Sequence, residues 1–124
     1  MRLHILGDLH LEFAPIEIPP IDADVIVLSG DIHLGLAGIE WSREQFPNTP
    51  LIYVLGNHEF YRHSLPDLTE KLKRETKGNP IHVLENDAVE INGFSFLGCT
   101  LWTDFRLLGN AEGAMRAAEQ MSDY

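Results

Sequence analysis

The chain has 124 residues, 44% of them hydrophobic, and a net charge of −10. That suits one globular domain and argues against a broad phosphate-backbone binder, which needs clustered Lys and Arg. No apolar run approaches the roughly 20 residues of a membrane helix, no secretory signal is expected, and the single cysteine, Cys99, excludes an internal disulfide and fits a cytoplasmic setting.

Residues 2–6 read as a buried strand. A loop over 11–24 follows, with Pro15, Pro19 and Pro20. A second strand covers 25–29. Residues 34–46 read as a helix, with Leu36, Ile39, Trp41 and Phe46 on a rough apolar face and Pro47 just past its end. A third strand covers 51–55. The clearest helix is 65–77. Ser64 stands at its N-cap, Asp67 in capping-box position and Pro66 in the first turn. Leu65, Leu68 and Leu72 are spaced to face the core, and Gly78 and Pro80 end the pattern. Short strands follow at 81–84, 88–91 and 94–97, the last two joined by Asn92-Gly93, a strong hairpin signal. Residues 110–121 read as a weak helix. This order predicts an α/β fold with helices packed on a mixed sheet.

Each of the first three strands runs into residues that hold cations: Gly7-Asp8-Leu9-His10, Ser29-Gly30-Asp31 and Gly56-Asn57-His58-Glu59. In open α/β sheets ligand sites form beyond the carboxyl ends of parallel strands, so the three segments are expected to meet at one rim. Asp8 and His10 stand two apart and in an extended chain would point to the same side. Asp31 has two oxygens and can bridge two cations, and Asn57 offers a neutral carbonyl oxygen. Mixed oxygen and nitrogen ligands suit Mn²⁺, Fe, Zn²⁺, Ni²⁺ or Co²⁺ better than Ca²⁺. Two such cations would clamp a phosphoryl group and generate a hydroxide for in-line attack. His58 is placed to bind phosphoryl oxygens or protonate the leaving alkoxide.

With these motifs the chain resembles the calcineurin-like metallophosphoesterases, whose blocks run D-x-H, G-D and G-N-H-[DE], followed by two later histidine blocks. The segment 97–105, Leu-Gly-Cys-Thr-Leu-Trp-Thr-Asp-Phe, adds to the likeness. The resemblance implies a four-layer α/β/β/α sandwich and hydrolysis of a phosphomonoester or phosphodiester by a dinuclear metal-bound hydroxide. It implies Asp8, His10, Asp31 and Asn57 as metal ligands, with His58 and Asp31 at the catalytic centre. Two divalent metals are expected, Mn²⁺ first, with Fe, Zn²⁺, Ni²⁺ or Co²⁺ as alternatives. The substrate would be a small phosphate ester or a phosphoprotein, with nucleic acid left open and no membrane partner.

The later histidine blocks are missing: no Gly-His pair occurs, and nothing after His82 is a histidine. Residues 1–124 therefore read as a partial domain, its first half, with a sheet face left uncovered and open to self-association. The alternative is a truncated, non-catalytic half-domain that binds a metal or a partner. Among other residues, His33 is a weaker ligand candidate. His4 is expected to pack within its strand. Glu59 is expected to cap the next helix. Phe60 and Tyr61 are expected to pack, and Trp102 and Asp104 to border the cleft.

Overall fold

The computed structural model describes residues 1–121. Four strands, β1 (Leu3–Leu6), β2 (Val25–Ser29), β3 (Leu51–Val54) and β4 (Ile81–Val83), form a parallel sheet in the order β1-β2-β3-β4. Helix α1 (Ala37–Gln45) joins β2 to β3, and α2 (Leu65–Glu75) joins β3 to β4. Strand order never reverses, so successive right-handed crossovers put both helices on one face. Ile39 of α1 and Leu68 and Leu72 of α2 indeed share one cluster with Ile26, Leu28, Leu51 and Tyr53.

The alternate residues of the same strands face the other way. Val25, Ile52 and Leu84 pack with Val89, Ile91 and Phe96 of an antiparallel hairpin, β5 (Asp87–Ile91) and β6 (Phe94–Gly98). Both central strands are thus buried on two faces, which is why they read as unbroken apolar runs. The hairpin turn is as expected: Asn92 and Gly93 both have positive φ, at 53° and 78°, as a type I′ turn requires.

One expectation is corrected here. The hairpin does not extend the parallel sheet into a mixed one; it forms a second, two-stranded sheet. Its apolar side chains gain more by covering the sheet's free face than by pairing with a three-residue edge strand. Gly98 marks the closest approach, where an added Cβ would come within 2.6 Å of the Leu84 side chain. The cover stops short of β1. Leu3 and Ile5 align with Val25 and Val27 on this second face and remain 42% and 61% exposed.

Helix α2 begins after Ser64 as expected, but its hydroxyl donates to the Asp67 carboxylate instead of capping the backbone. The weak C-terminal helix is α3 (Ala111–Ala118), where Asn110 accepts a bond from the Gly113 N–H at 3.0 Å. Among the described residues no helix is long and apolar enough to cross a membrane.

Candidate metal centre

Parallel register brings the ends of β1, β2 and β3 side by side: Leu6 aligns with Leu28, and Ser29 with Val54. Beyond the rim the pairing continues between loops. The Asp8 N–H donates to the Gly30 carbonyl and the His10 N–H to the Asp31 carbonyl, each at 3.0 Å. The chain is not extended here. Asp8, His10 and Asp31 all have left-handed φ, at 52°, 46° and 54°. Asp and His tolerate this region better than most residues, at a modest cost. Local curling, not strand alternation, therefore brings these side chains together. His10 Nε2 lies 4.0 Å from Asp8 Oδ1, and ligand atoms of Asp8, His10 and Asp31 all fall within 4.8 Å of one another.

Gly30 and Gly56 allow the second and third loops to touch. Gly30 has φ of 97°, and a Cβ there would lie 2.9 Å from the Gly56 nitrogen. A Cβ on Gly56 would fall on the Asp31 carboxylate and backbone. Gly56→Ala is therefore expected to lower stability by about 1–3 kcal/mol, read by thermal melting of the metal-free protein. An unchanged melting temperature would show that the two loops can separate freely.

Asn57 leads into a short 3₁₀ turn, His58–Phe60. The His58 N–H donates to Asp31 Oδ1 at 2.9 Å, which ties the third motif to the second. The His58 ring stacks on Tyr61, with centroids 4.6 Å apart. Asn57 also lines a cavity of about 630 Å³ with Ser29, Gly56, Cys99, Thr100 and Trp102. Trp102 packs against Phe60 at 5.8 Å, so the 97–105 segment borders this rim. Asp104 is exposed. His33 lies outside the acidic and histidine groupings found among the described residues, and its Nδ1 accepts from the Leu34 N–H. His4 is half-buried beside Phe46, as expected.

Two glutamates hold the site in ways the motifs did not announce. Glu59 does not cap the next helix. It is fully buried and accepts four bonds: from the Tyr53 hydroxyl at 2.9 Å and from the N–H groups of Gly56, Ile32 and Asp31 at 2.8, 2.9 and 3.1 Å. One carboxylate thereby locks the second and third loops to the core. Burial first, then the charge of Glu59, hold the Tyr53 phenol well above its usual pKa. Glu12 lies under the histidines. Its Oε1 is 2.7 Å from His58 Nδ1 and 3.3 Å from His10 Nδ1. Burial would raise its pKa, but its own backbone N–H and the rings of His58 and His10 outweigh that and hold it below the usual range. The only sequence signal for Glu12 is its spacing, two residues past His10.

The donors fit a divalent cation. Asp8 and Asp31 provide hard carboxylate oxygens and His10 an imidazole nitrogen, converging from two loops. The family model for calcineurin-like phosphoesterases matches residues 1–111. The chain belongs to the calcineurin-like phosphoesterase family. Its fold is similar to that of the phosphopantetheinyl hydrolase PptH from Mycobacterium tuberculosis, with a TM-score of 0.61 and 16% identity over 99% of this chain and 52% of that one. An uncharacterized protein of Acanthamoeba polyphaga mimivirus is 35% identical over 60 residues, covering 44% of this chain and 21% of its own length. The chain thus spans about half of the structural neighbour and about a fifth of the viral relative. The family is one of phosphoesterases by its description.

Proposed function

We propose that this chain carries the substrate-facing half of a two-metal centre that hydrolyses a phosphate monoester or diester. The observation that carries the reading is the convergence of Asp8, His10 and Asp31 at the carboxyl rim of a family sheet. Asp8 and His10 would hold the first cation, Asp31 would be shared, and Asn57 would serve the second. When bound, two divalent cations, Mn²⁺ foremost and Fe, Zn²⁺, Ni²⁺ or Co²⁺ as alternatives, would supply Lewis acidity toward the phosphoryl oxygens and an activated water.

The protein's own residues have separate tasks. His58 sits beside Asp31 and would steady a phosphoryl oxygen or hand a proton to the leaving alkoxide. The cavity lined by Asn57, Thr100 and Trp102 would receive the organic part of the ester. Its size suits a small-molecule ester or one phosphorylated side chain. The net charge of −10 disfavours long nucleic acids as substrates. We place the remaining metal ligands, and the strands that would cover Leu3 and Ile5, in residues beyond these 124. The chain would then be part of a longer, cytoplasmic domain.

A second reading has its own observation. The exposed Leu3 and Ile5 face favours a non-catalytic module that self-associates or binds a partner. Metal uptake after equilibration with Mn²⁺ and desalting, together with turnover of bis-p-nitrophenyl phosphate, separates the two. Expected is bound Mn²⁺ in these 124 residues, and turnover that chelation abolishes in a chain extended to carry the remaining ligands. Uptake without turnover in the extended chain would favour the module, and no uptake by either would overturn the metal reading.

A further inference from the structure

The carboxyl ends of β1, β2 and β3 lead into the candidate metal-binding motifs. The fourth strand of the same sheet ends differently. The Leu84 N–H still pairs with the Tyr53 carbonyl at 3.0 Å, so the next residue, Glu85, leaves directly from the rim. Glu85 lies outside the acidic and histidine groupings found among the described residues. Its carboxylate turns instead to the segment after β6. One oxygen, Oε2, accepts the Thr100 hydroxyl at 2.6 Å and the Thr100 N–H at 3.2 Å. The other, Oε1, accepts the Asn86 side-chain amide at 3.4 Å. Glu85 and Thr100 are 15 residues apart and both half-buried. A hydroxyl held this closely by a carboxylate makes a bond about twice as strong as a neutral pair.

Thr100 stands where such a tie is needed. Residues 99–104 lie outside every strand and helix, so no ladder of backbone bonds fixes them. Yet Cys99, Thr100, Leu101 and Trp102 wall the cavity of about 630 Å³ that Ser29 and Asn57 also line. Burial does little to hold this wall, since Leu101 is 88% exposed. Trp102 rests on Phe60 at one end. At the other, Gly98 meets the Leu84 side chain, which brings Glu85 and Thr100 out of the two sheets side by side.

We propose that Glu85 is a positioning residue for the substrate cavity, holding Thr100 so that the 99–102 wall stands beside Asn57. This rests on the phosphoesterase reading for its meaning. It adds a residue that governs how the organic part of the ester fits, apart from the cluster of Asp8, His10 and Asp31. Loosening the tie lets the wall drift and weakens substrate binding, while the candidate metal ligands keep their arrangement.

Cys99 supplies the test. It is the single cysteine of the chain and lines the same cavity beside Thr100, so alkylation by iodoacetamide reports on the wall. In the 124-residue protein, Thr100→Val should react about 3–10-fold faster than wild type, and Thr100→Ser at the wild-type rate. This pair leaves the charge around the thiol unaltered, so the contrast reads the tie. Glu85→Ala should free the wall at least as far, and Glu85→Gln, which keeps one acceptor oxygen, less far. In a chain extended to carry the remaining metal ligands, Glu85→Ala should raise KM for bis-p-nitrophenyl phosphate about 10-fold, with kcat within about twofold. Thr100→Val added to Glu85→Ala should cost nothing more, because both changes remove the same bond. Wild-type alkylation of Thr100→Val would overturn the inference, even if the Glu85 variants do not fold. So would a fall in kcat with KM unmoved. If the phosphoesterase reading alone is wrong, the alkylation contrast stands and no turnover is seen. If the inference alone is wrong, turnover persists and the contrast is absent.

Discussion

Glu59→Ala is expected to destabilise the metal-free protein by about 3–5 kcal/mol. The carboxylate is fully buried and has four donors on it. Removing it leaves the Tyr53 hydroxyl and three backbone N–H groups without their acceptor. Each unsatisfied buried donor costs about 1–3 kcal/mol, and water entering the gap recovers part of that. The loss is a large share of the 5–15 kcal/mol that holds a typical domain folded. Glu59→Gln should fall between, because an amide keeps one acceptor oxygen and turns an NH₂ group toward the remaining donors. Urea unfolding of the three proteins reads the order directly. An alanine variant within about 1 kcal/mol of wild type would mean the loops hold themselves in place. The same variant should bind Mn²⁺ poorly, because the Asp31 and Gly56 backbones lose their common anchor.

Asp31→Asn is expected to leave the fold nearly intact and weaken Mn²⁺ binding by more than about 100-fold, a larger effect than the 10–100-fold typical of residues supporting a metal ligand. The amide oxygen can still accept the His58 N–H, now served by Asp31 Oδ1 at 2.9 Å, so the third loop keeps its tie to the second. What disappears is one negative charge and one hard oxygen among Asp8, His10 and Asp31. A hard divalent cation depends on both. Metal content after desalting and turnover of bis-p-nitrophenyl phosphate should fall together, while the metal-free melting temperature barely moves. Asp104→Asn is the control, since Asp104 is exposed and outside the cluster. Wild-type metal content in Asp31→Asn would remove Asp31 from the ligand set.

The strand runs, the helix at 65–75 and the Asn92-Gly93 turn were all legible because their signals are local. An apolar run, a proline in the first turn and a residue pair that accepts positive φ act within a few neighbours. The motifs were legible for a related reason. Asp8, His10, Asp31 and Asn57 each follow a strand end at once, and parallel strands carry their ends to one rim. The route to proximity was misread, however. Asp8 and His10 meet through left-handed backbone and not through strand alternation.

Glu12 escaped the sequence reading, and Glu59 was read as a helix cap, both for the opposite reason. As isolated letters they resemble any surface glutamate, which is where most glutamates lie. Their roles arise only when chain segments 46 and 27 residues apart come together, at His58 for Glu12 and at the Ile32 N–H for Glu59. The hairpin shows the same division. Its turn is written in two residues, but its choice of the second face over the edge of the first sheet depended on which apolar surface was left uncovered. Short-range stereochemistry and apolar pattern thus determined the elements, the family and the candidate metal-binding motifs. The tertiary structure alone decided the layering and the two buried carboxylates, because burial and hydrogen-bond satisfaction belong to the assembled chain and not to any stretch of it.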